Sequence, residues 1–214
     1  MSQPCIEIAL IPIGGRTIED EFTADGQAWT AIHKNLIEVP GYRGAAWGRQ
    51  IDALDTLVFL VFWDTYHSHV DFMERINSPF SPALLNMATG PCDMYHIHPS
   101  TSSLAFVNAP ITTLKFFYQP EATEPLSEKQ DVQVWHSVAK RPPLHDSTGF
   151  LTNGPGVVAM IGWNSSMYHA AVLLGKDVAA AETKIANSAR KTVTFEVNFT
   201  VVEKTGYEHS WRKL

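Results

Sequence analysis

The chain has 214 residues, of which 45% are hydrophobic and 18% are charged, and its formal net charge at pH 7 is −6. These values are typical of a soluble globular protein and argue against a disordered or a membrane-embedded one. We expect no nucleic-acid partner, because a net negative chain offers no basic surface for phosphates. We expect no membrane partner, because no apolar run approaches the roughly 20 residues of a membrane helix.

Two cysteines, Cys5 and Cys92, are too few for a disulfide framework or a cysteine-based metal site. The apolar residues 5–13 have no basic leader and no small-residue cleavage site, so they predict a strand and not a signal peptide. We therefore expect a cytoplasmic protein.

Hydrophobic spacing and turn residues predict alternating strands and helices in the first half. Apolar residues at helical spacing are followed by Pro40-Gly41, which ends the first helix. The predicted strands are residues 5–13, 42–51, 56–63 and 94–98, the last continuing towards residue 106, and the predicted helices are residues 27–39, a segment from 64 to 77, and a short turn at 80–87.

The second half, after a seam at Ala109-Pro110, predicts the same order of elements. A Pro- and Gly-rich turn precedes its most apolar strand. The predicted strands are residues 112–118, 145–151, 157–163 and 192–202, the predicted helices are residues 127–139 and 167–189, and residues 204–214 form a polar tail.

Two stretches, one in each half, resemble each other. Residues 57–69 read LVFLVFWDTYHSH, and residues 157–169 read VVAMIGWNSSMYH. Each has an apolar strand, a Trp at its end, a polar residue that can cap a helix, and then a His. The repetition indicates that the chain is internally duplicated.

The duplicated order predicts an α+β fold made of two ferredoxin-like β-α-β-β-α-β repeats, residues 1–108 and 109–214. Because the strands are apolar on both faces, each sheet needs a cover on the side away from its helices. The sister repeat is the simplest cover, so we expect the two sheets to pack face to face within one chain about a pseudo-twofold axis. The protein is then a monomer with an internal pseudo-twofold axis, or a homodimer.

The motif Trp-Asp-Thr at residues 63–65, the following helix with His69, and Trp-Gly-Arg at residues 47–49 resemble the antibiotic-biosynthesis-monooxygenase branch of the dimeric α/β-barrel superfamily. The resemblance is closest over residues 5–98 and architectural over residues 111–203. Members usually dimerise to form the barrel. The resemblance therefore implies that this tandem chain forms the barrel within a single chain. Members include cofactor-free oxygenases, haem-degrading enzymes, chlorite-type haem proteins, isomerases, polyketide-type cyclases and stress proteins, so the resemblance implies a fold more than an activity.

The resemblance also bears on cofactors. Haem-degrading relatives carry a His after a Ser-x-x-Phe-x-x-Ala pattern, whereas residues 77–84 place Leu84 where that ligand would fall. His96 and His98 are two apart on a strand, and no Cys, Asp or Glu at ligand spacing completes a metal site. No phosphate-binding Gly loop or zinc motif is present. We therefore expect no haem, no metal and no other cofactor.

The candidate site residues include a pair on the first predicted helix and a polar face of the closing strand. Trp29 and His33 are four apart and share one helical face, which places an aromatic ring beside a proton-transfer group. Glu196 and Asn198 share one face of the closing strand, and they need hydrogen-bond partners if that face is buried. Lys115 is a possible partner, either in a purely structural ion pair with Glu196 or as part of a ligand pocket. We predict as catalytic His33, Lys115 and Glu196, and as substrate-binding Trp29, Trp47, His96, His98, Trp135, His136 and Asn198.

The repeated motif itself receives a structural interpretation. Trp63 and Trp163 are expected in the core, and His69 and His169 are expected to pack at the junction of strand and helix. A motif that is present in both halves identifies the fold, so chemistry is expected on the surrounding walls.

The preferred function is a cofactor-independent enzyme that cyclises or rearranges a hydrophobic small-molecule intermediate of secondary metabolism. A shaped apolar pocket can contribute about 7–11 kcal/mol to such a reaction by positioning alone. Two alternatives remain open. One is a cofactor-free monooxygenase, in which a base ionises an electron-rich substrate that reduces dioxygen; the other is a non-enzymatic small-molecule-binding or stress-type barrel protein.

Overall fold

The computed structural model describes residues 4–74, 80–99, 105–118, 134–138, 157–163, 183, 186–187 and 189–203. Within these ranges the helices are α1 (Ala24–Ile37), α2 (Tyr66–Glu74), α3 (Phe80–Met87) and a 3-10 helix at Ala105–Asn108. The strands are β1 (Cys5–Pro12), β2 (Tyr42–Gln50), β3 (Ala53–Trp63), β4 (Asp93–Ile97), β5 (Ile111–Tyr118), β6 (Val134–Val138), β7 (Val157–Trp163), β8 (Lys191–Val197) and β9 (Thr200–Glu203).

The described strands belong to one antiparallel sheet in the order β4-β1-β3-β2-β8-β5-β7-β6, with β9 also paired to β2. The first four positions come from the first half and the last four from the second half. Each half therefore places its strands in the same relative order. The predicted α+β class is confirmed by these elements.

Local sequence explains where the elements of the first half begin and end. Thr23 caps α1, because its hydroxyl oxygen accepts a hydrogen bond from the Gly26 amide at 3.0 Å. Thr65 caps α2 in the same way and accepts from the Ser68 amide at 3.0 Å. Gly41 joins α1 to β2 with a φ of 82°, a conformation that favours glycine.

Residues alternate between two buried faces of the first-half sheet. Register partners such as Cys5 with Trp63 and Ala9 with Phe59 point to the helix side. The residues between them point to the other face, where one apolar cluster takes side chains from both halves of the chain. This shared core contains Ile6, Ile8, Leu10, Ala46, Val58, Leu60, Phe62, Tyr95, Ile97, Phe106, Val107, Leu114, Phe116, Val158, Met160, Val197 and Phe199.

The two halves are joined edge to edge at β2. Trp47 pairs with Thr200, and Gln50 pairs with Val197, so the strand segments β8 and β9 both lie along β2. Gly48 lies at the gap between the two pairings. A Cβ atom there would lie 2.2 Å from the Asn198 carbonyl oxygen, so only glycine allows the two backbones to approach this closely.

Three sequence predictions about the elements are wrong. Residues 134–138 form strand β6 and not a helix, because they pair with β7 from Val134–Ile161 to Val138–Val157. Residues 105–108 form a 3-10 helix and not a continuation of β4. The closing strand is interrupted at residues 198–199, where it passes Gly48.

Several other predictions fall outside the described residues, namely the strand at residues 145–151, the tail at 204–214 and most of the helix at 167–189. Positions 183, 186 and 187 of that helix are helical. In the described part of the chain, no helix combines the length and the hydropathy that crossing a membrane requires.

We predict that Gly48→Ala destabilises the fold by about 1–3 kcal/mol, the usual cost of forcing an extra methyl group into a packed site. Gly15→Ala is the matched control, because no atom lies within 4 Å of a Cβ added at Gly15. We expect the control to stay within about 0.5 kcal/mol of the parent. Urea unfolding of the three proteins measures both values, and equal midpoints would show that the close approach at β2 does not matter.

Candidate functional site

A cleft of about 440 Å³ lies between α1, β2 and the loop that precedes α1. This volume is within the usual range for small-molecule sites. Its wall combines aromatic rings with acidic side chains of the loop. The lining residues are Ile18, Glu19, Asp20, Glu21, Phe22, Trp29, Thr30, His33 and Trp47.

The deep wall of the cleft consists of packed aromatic rings. The Trp29 ring meets the His33 ring edge to face at a centroid distance of 4.6 Å and the Trp47 ring at 5.6 Å. Phe59 of β3 lies behind them, 5.0 Å from Trp29 and 5.5 Å from His33. These contacts fix the ring orientations, so the wall is preformed for a flat apolar ligand.

The outer wall is the loop before α1, which is held at both ends. The Arg49 guanidinium binds the Glu19 carboxylate, and this hydrogen bond lowers the pKa of Glu19. At the other end, Thr23 caps α1. A Cβ atom on Gly26 would lie 1.9 Å from the Asp20 carbonyl oxygen, so the loop backbone packs directly on the first turn of the helix.

Two residues that line this cleft have buried nitrogen atoms without a partner. Both ring nitrogens of His33 and the indole nitrogen of Trp29 are buried and have no hydrogen-bond partner among the described residues. Burial lowers the pKa of His33 from 6.5 to about 4, so the imidazole is neutral at pH 7. A neutral imidazole offers one donor and one acceptor, and the indole adds a second donor.

A second polar cluster is buried on the helix side of the same sheet. Glu7 of β1, His69 of α2 and His96 of β4 bring their ligand-type atoms within 4.8 Å of one another. Glu7 Oε2 lies 3.4 Å from His69 Nε2 and accepts a hydrogen bond from Trp63 Nε1 at 3.2 Å. The His69 and His96 rings are 4.4 Å apart.

The charges in this cluster are strongly coupled. Burial opposes ionisation of Glu7, but the charge of the nearby His69 outweighs it, and the pKa of Glu7 falls to about 2. Burial, and then the charge of His69, lowers the pKa of His96 to about 4. Glu7 is therefore a carboxylate, and His96 is neutral at pH 7.

The structure groups only part of the predicted site. Trp29, His33 and Trp47 line one cleft, as the prediction that all three contact the substrate requires. His96 lies in the separate Glu7 cluster. His98 lies beyond the end of β4, where its Nδ1 is 2.9 Å from the Pro4 carbonyl oxygen.

The second-half candidates lie elsewhere and do not line the cleft. Lys115 and Glu196 are diagonal neighbours on β5 and β8, since Lys115 pairs with Thr194 and Glu196 with Thr113. Asn198 is exposed at the break between β8 and β9, and not buried as an unbroken strand would place it.

Trp135 and His136 lie on strand β6, where they pair with Met160 and Ala159, and not on a pocket-facing helix. The helical assignment came from apolar spacing, and strand pairing with β7 overrides it.

Sequence reasoning missed Glu7 and assigned His69 a structural role only. The signal was the single charged residue in an otherwise apolar first strand, CIEIALIPI. A buried carboxylate needs a partner, and the partners are histidines far along the chain. Spacing along the sequence could not identify them.

No family model and no curated protein matches the sequence. Among solved structures, the chain is similar to an anthrone oxidase-like protein, with 11% identity and a TM-score of 0.63 over 96% of this chain and 95% of that one. It is also similar to a proposed monooxygenase from Fusobacterium nucleatum subsp. nucleatum, with 10% identity and a TM-score of 0.62 over 95% of each chain. At these identities the similarity shows a shared fold, and the expected likeness to monooxygenase-type folds is confirmed.

A third similar structure corrects the expectation about cofactors. It is a variant of chlorite dismutase from Candidatus Nitrospira defluvii, with 9% identity and a TM-score of 0.50 over 92% of this chain and 91% of that one. Chlorite-type members of the superfamily are haem proteins, so a fold of this kind is compatible with haem. The expectation of no cofactor is wrong, because the residue patterns on which it rested, such as Leu84 at one ligand position, do not exclude a cofactor in this fold.

We predict that the His33 imidazole stays neutral until the pH falls to about 4, because burial lowers its pKa. Between pH 6.5 and 4 the unfolded chain binds a proton at this residue and the folded chain does not, so stability falls as the pH falls. The loss is on the order of 3 kcal/mol at 1.36 kcal/mol per pKa unit.

The measurement is an NMR titration of the histidine ring signals, with His33→Gln identifying the His33 resonance. Urea unfolding at pH 7 and pH 4.5 should show a smaller pH effect in His33→Gln than in the parent. A His33 signal that titrates near pH 6.5 would contradict the buried, neutral state.

Proposed function

We propose that this protein is an oxygenase that binds an electron-rich, apolar aromatic molecule in the cleft lined by Trp29, His33 and Trp47. The observation that supports this most is that two cleft-lining residues, Trp29 and His33, have three buried ring nitrogens without a hydrogen-bond partner among the described residues. A buried polar group without a partner costs about 1–3 kcal/mol. A ligand oxygen that bonds to these nitrogens removes that cost, and an aromatic ring beside it packs against the indoles.

The fold supports the same choice. An anthrone oxidase-like protein and a proposed monooxygenase are similar to this chain along almost its full length. These names favour the monooxygenase alternative over the cyclisation that the sequence analysis preferred. The acidic loop residues Glu19, Asp20 and Glu21 at the cleft disfavour anionic ligands, which fits a neutral phenol or aromatic ketone.

His33 has a definite role in this proposal. As a neutral ring, it accepts a hydrogen bond from a substrate hydroxyl, while the Trp29 indole donates to an oxygen of the substrate. The hydroxyl becomes more acidic as electrons leave the ring, so its proton passes to His33 at that stage and not before. The low pKa of His33 thus keeps the base free until the substrate is oxidised.

The overall reaction balances for a ring methylene that becomes a carbonyl. In the enol form of the substrate, one of the two methylene hydrogens is the hydroxyl proton that His33 accepts and then passes to the water product, and the second C–H bond breaks on oxidation. One oxygen atom of dioxygen forms the new C=O bond, and the other leaves as water with the two hydrogens. The substrate supplies all four electrons.

We also propose that residues 1–108 and 109–214 are two ferredoxin-like repeats that form one barrel. The support is the equal strand order in the two halves and the shared core to which both contribute. The cleft described above belongs to the first repeat. A catalytic role for Lys115 and Glu196 on the second repeat stays a prediction.

We predict that His33→Gln lowers kcat/KM by about 10²- to 10⁴-fold, the usual effect of removing a general acid–base group. Trp29→Phe keeps the aromatic wall and removes one donor, so we expect a loss of about tenfold. Asn35→Ala is the control, since Asn35 is exposed on the same helix. Dioxygen uptake with anthrone as the probe substrate measures all four proteins.

Each outcome separates the candidate functions. The oxygenase proposal is supported if the parent and the Asn35→Ala control take up dioxygen and His33→Gln does not. Conversion of the probe without dioxygen uptake would favour cyclisation or rearrangement. Probe binding without conversion in the parent would favour a binding protein, and full activity of both cleft variants would exclude this cleft as the site.

A further inference from the structure

The buried cluster of Glu7, His69 and His96 is not used by the proposed oxygenase cleft. Its three side chains come from β1, α2 and β4, and they meet on the helix side of the sheet. Glu7 and His96 are direct register partners on neighbouring strands. His69 reaches them from α2, whose N-terminus is fixed by the Thr65 cap.

The histidine nitrogens of this cluster lack hydrogen-bond partners. Both ring nitrogens of His69 and Nε2 of His96 are buried and unpartnered in the part of the chain that the structure describes. His69 Nε2 is close enough to Glu7 for an ion pair, at 3.4 Å, but is not aligned as a hydrogen-bond donor. His69 has only 5% of its surface exposed and Glu7 only 3%, so solvent does not replace the missing partners.

The fold does not require this cluster. In the second half, Trp163 occupies the register position of Trp63, and its indole donates to the Thr113 hydroxyl at 2.8 Å. Thr113 corresponds to Glu7, so a neutral hydroxyl completes the same strand-end contact. Glu196 lies opposite Thr113, where the first half has His96 opposite Glu7. The second half thus has neither a carboxylate at the position of Glu7 nor an imidazole at the position of His96, so these two groups are not required by the strand framework.

The dimensions of the cluster fit a metal ion. Bonds of about 2.0–2.2 Å from a tetrahedral ion to nitrogen and oxygen ligands place those ligand atoms about 3.3–3.5 Å apart. The Glu7 Oε2 to His69 Nε2 distance of 3.4 Å already matches. His96 is the least buried of the three, so rotation of its ring can close the remaining spread of up to 4.8 Å.

We propose that Glu7, His69 and His96 bind a divalent first-row transition-metal ion, with a fourth coordination position open. Two imidazoles and one carboxylate suit Zn²⁺ and its neighbours, and they do not suit Mg²⁺ or Ca²⁺, which prefer oxygen ligands. Trp63 supports the site from outside, because its indole fixes the Glu7 carboxylate. This inference does not rest on the oxygenase proposal.

The test uses the full chain with its affinity tag removed, stripped with a chelator and then dialysed against Zn²⁺ or Mg²⁺. We expect one Zn²⁺ per chain by elemental analysis, no retained Mg²⁺, and a Tm that rises with Zn²⁺. Co²⁺ serves as a spectroscopic probe, since a low-symmetry site with nitrogen ligands gives visible absorption bands.

His69→Gln and Glu7→Gln should lose the Co²⁺ bands and weaken Zn²⁺ binding by more than the roughly 10- to 100-fold that loss of an outer-shell partner produces. His67→Gln is the matched control, because His67 lies on the same helix with 83% of its side chain exposed, beside Asp71. If circular dichroism shows that either buried variant is unfolded, His96→Gln replaces it as the test.

Loss of the ion in folded cluster variants, with retention in His67→Gln, supports the site. A parent protein that takes up no Zn²⁺ would overturn the proposal and leave a buried Glu7–His69 ion pair. Equal loss in His67→Gln, or equal uptake by His96→Gln and the parent, would also overturn it, because the ion would then be bound elsewhere on the surface.

Discussion

Burial of both faces of the sheet is the constraint on which the rest of the structure depends. One face packs against α1, α2 and α3, and the other lies in the core that the two halves share. Under this constraint the side chains of β1 and of residues 57–63 of β3 enter one buried layer or the other. Polar groups in these layers are costly unless they have partners, so Glu7, His33 and His69 are the residues whose presence most needs an explanation.

The junction at β2 shows how close packing positions the cleft. Gly48 lets β2 meet the interrupted closing strand, and its neighbours Trp47 and Arg49 both lie on the helix side of β2. Trp47 completes the aromatic wall, while Arg49 holds the outer loop through Glu19. The same three-residue motif thus serves the strand junction and both walls of the cleft.

Much of the fold could be predicted from sequence because its signals are local. The apolar alternation of β1, the stop at Pro40-Gly41 and the Thr65 cap each depend on a few neighbouring residues. The strand at Val134–Val138 could not be predicted, because its pairing with β7 decides its conformation and its own spacing suggests a helix. For the cleft, helical spacing found Trp29 and His33, which are four apart. Glu7 and His69 are separated by α1, β2 and β3, so their spacing along the sequence gives no signal.

The two halves share a framework and differ where it is polar. Trp63 and Trp163 end equivalent strands, yet one indole meets a carboxylate and the other a hydroxyl. A core contact needs only an acceptor at this point, and Thr113 provides it without the desolvation cost of a charge. The costlier solution at Glu7 is stabilised by His69 on a helix of the same half. The framework alone does not account for this difference, since Thr113 makes the equivalent contact without a charge.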